Sequence, residues 1–315
     1  MSFHPISRRD AIKAGVIASL AWGRSMPLMA QDKQTLPAIT KAIPSTGEKL
    51  PVIGLGTNAY GVKTEEEKEP LREVLQQMPK AGGKVIDTAQ AYGLSEKVIG
   101  ELLKGLGNRD QFFIATKTPI KADYSNPEAV IDTSFKALQV DKIDLIQIHQ
   151  LGGLEELMPA FENAKKAGRV RYIGMSTSSD DQYERTIAAM KTYPLDFIQV
   201  DYSLDNRNAA EEVLPLALER KIAVLINVPF GGRRQAATTF SKVGKLELPE
   251  WAAEFDAKTW AQFFLKYVVS HPAVTTAIPG TTKLKHMLDN QGAGRGRLPD
   301  EAMRRRIEQY WDSLS

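Results

Sequence analysis

The stretch VIDTAQAYGLSEKVIGELLKG, from Val85 to Gly105, contains a complete strand–loop–helix unit. Its apolar run VID is typical of a buried strand, and KVIGELLKG has the apolar spacing of an amphipathic helix. The loop between them begins after Asp87, which ends the apolar run, and carries Tyr92. The segment therefore predicts a strand whose carboxyl end presents an acid and a phenol.

The same alternation continues through most of the chain. Segments with helical periodicity separate short apolar runs, and several of these segments end at Gly or Pro. Near-continuous apolar strands that alternate with helices predict a parallel sheet buried on both faces. The apolar runs are VIGLG (Val52–Gly56), KVID (Lys84–Asp87), FFIATK (Phe112–Lys117), IDLIQIH (Ile143–His149), VRYIGMS (Val170–Ser176), DFIQVD (Asp196–Asp201), IAVLINV (Ile222–Val228) and AVTTAIP (Ala273–Pro279).

These eight runs predict an α/β protein with a (β/α)₈ TIM barrel. The alternative is an open doubly wound sheet, which places a glycine-rich phosphate loop and a helix directly after its first strand. GLGTNAYG (Gly54–Gly61) lacks the helix start and the third glycine at that spacing. Turn residues between short apolar pieces from Thr35 to Leu50 predict a β-hairpin before the barrel.

Composition limits the classes of function. Of the 315 residues, 41 are Lys or Arg and 38 are Asp or Glu, which gives a net charge of +3. This balance argues against nucleic acid or an anionic membrane surface as a partner. The chain has no cysteine, so disulfides and thiolate metal sites are excluded, and we expect no metal site.

The N-terminal segment resembles a twin-arginine export signal, with SRR at Ser7–Arg9, an apolar run at Ala14–Trp22 and small residues near Ala30. The run is shorter than the ~20 residues that span a bilayer, so we expect no stable membrane insertion. We expect a cleaved signal peptide at 1–30, one domain at 31–315, passage through the twin-arginine machinery and a periplasmic location. The alternative is an amphipathic helix that stays attached, with a cytoplasmic location.

Polar side chains stand where the apolar strands end. In a barrel the chemistry occurs at the carboxyl ends of the strands. One such residue is usually a helix cap or a solvated loop residue, but several on one rim indicate a functional site. The polar residues at these positions are Asp87, Lys117, His149, Ser176 and Gln199.

One proton-transfer group can be formed by Asp87, Tyr92, Lys117 and His149. An ammonium beside a tyrosine hydroxyl favours the phenolate, and Asp87 would keep Lys117 charged. His149 can hold a carbonyl oxygen and share the proton relay. The sequence has no flavin motif, so the accompanying hydride would come from a nicotinamide. A lysine Schiff-base enzyme would need a lowered lysine pKa, whereas Asp87 is expected to raise the pKa of Lys117.

Seven motifs occur in a specific order and spacing. They are VIGLGT (Val52–Thr57), IDTAQAYG (Ile86–Gly93), IATK (Ile114–Lys117), IDLIQIH (Ile143–His149), GRVRYIGMS (Gly168–Ser176), FIQVDYSL (Phe197–Leu204) and IPGTTKLKHMLDN (Ile278–Asn290). With these motifs the chain resembles the aldo-keto reductases. The resemblance implies that the four residues above are the family's catalytic tetrad, with Tyr92 as the general acid. The implied reaction is NAD(P)H-dependent reduction of aldehydes or ketones, or oxidation of alcohols.

The resemblance also implies a cofactor site, for which NADP(H) is preferred and NAD(H) is possible. Lys283 favours NADP(H), because a 2′-phosphate attracts a cation. The residues implied for the nicotinamide end are Gly56, Thr57, Ser176 and Gln199. The residues implied for the adenosine phosphate end are Thr281, Lys283 and Asn290. The small-molecule carbonyl or alcohol is expected to meet Tyr60, Gln150 and Phe230.

Four positions depart from the family's pattern. Thr177 stands where the family commonly has Asn after the serine of the fifth strand. Asn227 stands where many members carry an aromatic ring that stacks on the nicotinamide. Gly280 and His286 replace basic residues that are common in the cofactor segment. These departures predict altered cofactor contacts, and they leave open an exported nucleotide-binding sensor with vestigial turnover as the alternative function.

Overall fold

The computed structural model describes residues 36–232 and 238–314 of the chain. The predicted signal peptide at 1–30 lies outside the described residues. One compact unit begins at Pro37, and all the elements described below belong to it.

A parallel sheet of eight strands forms the centre of this unit. Its strands are β3 (Leu55–Gly56), β4 (Val85–Asp87), β5 (Phe113–Lys117), β6 (Ile143–His149), β7 (Val170–Ser176), β8 (Phe197–Asp201), β9 (Ala223–Asn227) and β10 (Val274–Ala277). Two further strands, β1 (Thr40–Ala42) and β2 (Lys49–Pro51), precede them in the chain and form a separate sheet. Strands β3 to β10 pair in chain order. Parallel bridges join Ile53 to Ala277 and Gly56 to Gly280, so the last strand returns to the first. The sheet therefore curls into a nearly closed barrel, and the predicted (β/α)₈ fold is confirmed.

Helices cover the outside of the barrel. They are α1 (Glu65–Gln77), α2 (Ser95–Leu106), α3 (Pro127–Leu138), α4 (Leu154–Lys166), α5 (Tyr183–Thr192), α6 (Val213–Glu219), α7 (Thr239–Val243), α8 (Trp260–Ser270), α9 (Leu284–Ala293) and α10 (Glu301–Ser313). One large apolar cluster joins their inner faces to the strands. Among the described residues, no helix has both the length and the apolar character that a membrane span requires.

The predicted hairpin is present and covers the amino-terminal end of the barrel. Strands β1 and β2 pair antiparallel, with Thr40 opposite Pro51. Ile43 and Leu50 of the hairpin join an apolar cluster with Phe113 and other residues from the strands of the barrel. Phe113 is the first residue of β5, so the hairpin packs where the strands begin and leaves their carboxyl ends free for the site.

An ionic network ties the same end of the barrel together. Asp144, buried near the start of β6, accepts hydrogen bonds from the Ile114 backbone N–H at 2.9 Å and from Arg109 at 2.8 Å. Its other oxygen accepts from Arg171 at 2.8 Å, and Arg171 also pairs with Glu48 of the hairpin. One carboxylate therefore links β5, β6, β7 and the hairpin.

We expect Asp144→Ala to lower the free energy of unfolding by about 2–4 kcal/mol, because it leaves a buried backbone N–H and two guanidinium groups without their acceptor. The exposed Asp141→Ala, three residues earlier, is the matched control, with an expected change within about 0.5 kcal/mol. Urea unfolding of both variants provides the measurement, and equal losses would refute the role of the network.

Candidate active site

Three neighbouring strands bring the predicted proton-transfer group to one rim. Asp87, Lys117 and His149 are the last residues of β4, β5 and β6. The loop after β4 continues to pair with β5, since the backbone N–H of Thr88 donates to Ala115 and that of Gln90 donates to Lys117. This pairing holds the beginning of the loop beside β5.

A tight turn then brings Tyr92 back over Lys117. Gly93 has a φ of +62°, a left-handed conformation that favours glycine, and α2 begins two residues later. Ser95, at the start of α2, donates from its hydroxyl to the Thr57 carbonyl at 2.9 Å. The turn and this hydrogen bond together fix Tyr92 between the ends of β3 and β5.

Lys117 is the centre of the group. Its Nζ donates to Asp87 Oδ2 at 2.7 Å, to the Thr88 carbonyl at 2.7 Å and to the Tyr92 hydroxyl at 3.5 Å. Burial alone would lower the pKa of Lys117, but the Asp87 carboxylate outweighs it and raises that pKa above its ordinary value. The lysine therefore stays an ammonium ion beside the phenol, and a Schiff-base role is disfavoured.

His149 faces Tyr92 across the rim. The two ring centroids are 5.9 Å apart, and the rings meet edge to face at 85°. Burial, together with the nearby Lys117 charge, lowers the pKa of His149 to about 3. The imidazole is therefore neutral near pH 7 and can hold a polar oxygen without adding a second positive charge.

A cavity of about 570 Å³ opens directly above this group. Its walls include two of the predicted catalytic residues, three of the predicted cofactor residues and one predicted substrate residue. These residues are Asp87, Tyr92, Gly56, Thr57, Gln199 and Phe230. The cavity is within the 300–1,000 Å³ range of small-molecule sites.

The cavity has a second compartment beside it, of about 450 Å³. Both compartments include Phe230 and Gly280 in their walls, and the second is also lined by Asn290 and His286. Together the two compartments extend from Asp87 and Tyr92 to His286 and Asn290 of α9. Such a shape suits a ligand with two separated ends.

These observations connect the geometry to a known family. A profile of the aldo/keto reductase family matches residues 52–311. The chain belongs to the aldo/keto reductase family. The match includes every barrel strand from β3 to β10, together with all four residues of the proton-transfer group.

Individual relatives agree with this assignment. The aldo-keto reductase YhdN of Bacillus subtilis is 37% identical over 207 residues, which is 59% of this chain and 60% of that protein. The Schizosaccharomyces pombe protein named aldo-keto reductase yakc [NADP(+)] is 27% identical over 82% of this chain and 87% of its own length. A solved aldo-keto reductase from Klebsiella pneumoniae, in complex with NADPH, superposes with a TM-score of 0.68. It is 24% identical and covers 88% of this chain and 95% of its own, which shows the shared fold.

Several residues implied by the family resemblance lie near the cavity without lining it. Ser176 is buried at the end of β7, paired in register with Gln199. Thr281 and Lys283 lie on the loop before α9, where the Thr281 hydroxyl accepts from the Lys283 backbone N–H at 3.1 Å. Lys283 is exposed and borders neither compartment.

Unlike Phe230, the other two residues that are predicted to contact the substrate do not line the cavity. Tyr60 is fully buried, which raises the pKa of its hydroxyl, and it does not line the cavity. Gln150 also lies outside the cavity wall, but its amide donates to the hydroxyl of Ser178 at 2.8 Å, and Ser178 does line the cavity. Gln150 is therefore connected to the cavity wall through Ser178.

The structure adds residues that the sequence reasoning missed. Asn58 and Ser178 line the cavity; Asn58 directly follows the motif VIGLGT, and Ser178 lies two positions beyond GRVRYIGMS. Gln147 is fully buried beneath it and donates to Gln199 Oε1 at 3.0 Å. Its position two residues before His149, on the same side of β6, was the signal that could have identified it.

We expect the imidazole of His149 to remain neutral from pH 8 to about pH 4, because its pKa is lowered to about 3. An ordinary histidine would take up a proton near pH 6.5. An NMR titration of histidine-labelled protein, with the resonance assigned by the His149→Asn variant, provides the measurement. A His149 signal that moves between pH 6 and 7 would contradict the neutral assignment.

Proposed function

We propose that this protein is an NADP(H)-dependent carbonyl reductase that reduces aldehydes or ketones and can oxidise alcohols in reverse. The observation that carries the proposal is the buried ammonium of Lys117, held by Asp87 at 2.7 Å and placed 3.5 Å from the Tyr92 hydroxyl. This arrangement prepares one phenol to give a proton at the floor of a cavity. NADP(H) is supported by the S. pombe relative named for NADP(+) and the K. pneumoniae reductase solved with NADPH.

The chain's own residues account for the proton transfer. Tyr92 donates its phenolic proton to the carbonyl oxygen of the substrate, and the adjacent Lys117 ammonium stabilises the phenolate that remains. The neutral His149 orients the same oxygen, and Asp87 keeps Lys117 protonated throughout. A bound nicotinamide supplies the hydride to the carbonyl carbon. In the alcohol direction Tyr92 accepts the proton instead.

The residues along the cavity fit a nicotinamide dinucleotide. The backbones of Gly56 and Gly280 approach closely at the cavity wall, and a Cβ on Gly56 would lie 2.8 Å from the Ile278 carbonyl. The absence of a side chain at Gly56 therefore lets the segment after β10 pack directly against the end of β3 and complete this part of the cavity wall. We infer that Gly56, Thr57, Ser176 and Gln199 hold the nicotinamide end.

The other end of the dinucleotide would extend along the second compartment. Asn290 borders that compartment, and Thr281 and Lys283 stand on the neighbouring loop. The exposed ammonium of Lys283 would attract a 2′-phosphate, which favours NADPH over NADH. The sensor alternative gains no support from the comparisons, and the complete proton-transfer group argues against it.

We expect Tyr92→Phe to lower kcat for NADPH-dependent aldehyde reduction by about 10²- to 10⁴-fold, because it removes the proton donor. The Kd for NADPH should stay within about twofold, since the phenyl ring remains. Loss of NADPH absorbance with an aldehyde panel measures turnover. Tyr193→Phe, at the end of α5 and outside the cavity, is the matched control.

Titration of the same proteins with NADPH and NADH completes the test. Tight NADPH binding with turnover in the wild-type protein supports the reductase, whereas binding without turnover across a broad panel would favour the sensor. An unchanged rate in the Tyr92→Phe variant would refute the assigned mechanism.

We also propose that the protein is exported by the twin-arginine route and acts in the periplasm. The proposal rests on the SRR motif at Ser7–Arg9 and the short apolar run that follows it. This route carries folded proteins, so a cofactor bound before export would travel with the barrel.

Replacement of Arg8 and Arg9 by Lys is expected to keep the full chain in the cytoplasm, because the twin-arginine receptor reads the pair of arginines. Fractionation of cells that express the wild-type or the doubly substituted chain measures the location. Wild-type protein that remains in the cytoplasm would show that the segment is not an export signal.

A further inference from the structure

Asn227 occupies an unusual place in the cavity wall. It is the last residue of β9 and lines the same compartment as Tyr92 and Gln199. Many aldo-keto reductases carry an aromatic ring at this position, and an amide cannot replace the stacking area of a ring. The role of Asn227 must therefore come from the hydrogen bonds that its amide can form.

The hydrogen bonds of Asn227 fix which way its amide faces. Its Nδ2 donates to the backbone carbonyl of Thr177 at 3.0 Å. A carbonyl oxygen can only accept, so the NH₂ group must face Thr177 and the Oδ1 atom must face another direction. Within residues 36–232 and 238–314, this buried Oδ1 receives no hydrogen bond. A buried acceptor without a donor is costly, which indicates that a bound molecule supplies the donor.

Thr177 does not fill the role of the asparagine that the family commonly has there. Its hydroxyl donates to Gln182 Oε1 at 2.6 Å and accepts from the Ser179 backbone N–H at 3.1 Å. Both contacts lie on the loop that leads to α5, so the hydroxyl is engaged in that loop. One polar contact of the usual site is thus missing at Thr177, while Asn227, whose Oδ1 lacks a donor among the described residues, lines the same cavity.

We propose that Asn227 replaces this contact, and that its Oδ1 accepts a hydrogen bond from the carboxamide NH₂ of the bound nicotinamide. The inference rests on the proposed function, because it requires a nicotinamide cofactor. The hydrogen bond to Thr177 holds the acceptor in place, and the carboxamide N–H supplies the donor that Oδ1 lacks. The two departures from the family pattern are therefore one compensated exchange between the ends of β7 and β9, which lie on either side of β8.

A purely structural role would give a different result. If Asn227 only anchored the Thr177 carbonyl, its loss would disturb the cavity wall and weaken every nicotinamide derivative to the same degree. If it contacts the carboxamide, its loss would weaken only derivatives that carry the NH₂ group. Oxidised 3-acetylpyridine adenine dinucleotide phosphate provides this comparison, because a methyl group replaces the NH₂.

The experiment is a double-mutant cycle between protein and cofactor, measured as Kd by isothermal titration calorimetry. For the wild-type protein we expect NADP⁺ to bind about tenfold more tightly than the acetylpyridine analogue. Asn227→Ala should weaken NADP⁺ about tenfold and change the Kd of the analogue by less than about twofold. The exposed Asn163→Ala, on α4, is the matched control and should change neither Kd.

Equal weakening of both cofactors by Asn227→Ala would overturn the inference and leave the proposed function intact. Wild-type protein that binds neither NADP⁺ nor NADPH would overturn the proposed function itself, and the inference with it. If the alanine variant does not fold, Asn227→Leu, of similar size and without polar atoms, answers the same question. Thermal unfolding followed by circular dichroism identifies a variant that has lost its fold.

Discussion

The ion pair between Lys117 and Asp87 is the constraint on which the site depends. Their side chains are only 1% and 3% exposed, and their charged atoms are 2.7 Å apart. Burial of an unpaired charge would cost several kcal/mol, so each group requires the other. The Thr88 carbonyl provides a second acceptor for the lysine. Two adjacent strands must therefore stay in register for the phenol of Tyr92 to have its ammonium neighbour.

The two ends of the barrel have different roles: residues at the amino-terminal end stabilise the fold, and residues at the carboxyl end form the candidate active site. At the amino-terminal end, Asp144 joins three strands, and the hairpin residues Ile43 and Leu50 fill the interior. At the carboxyl end, the strand ends carry polar residues that face a cavity. The buried ion pair at the carboxyl end is tolerated because its two charges compensate each other and Lys117 also donates to the Thr88 carbonyl.

Two of the residues that depart from the family pattern lie close together in the structure. Thr177 and Asn227 are fifty positions apart in the chain, but a 3.0 Å hydrogen bond joins them at the cavity wall. Gly280 lines both compartments of the cavity, together with Phe230. These departures therefore lie together at the carboxyl end of the barrel.

The sequence by itself determined the alternation of strands and helices. It also located Asp87, Lys117 and His149, because a polar residue that ends an apolar strand lies on the rim of a parallel barrel. The sequence did not determine the strand limits: within the first run, Val52–Gly56, the strand β3 covers Leu55–Gly56, and Ile53 forms an isolated bridge to Ala277. Only the tertiary structure showed that Tyr60 is fully buried away from the cavity wall. The direction and burial of a loop side chain depend on contacts from segments distant in the chain, and no local pattern records them.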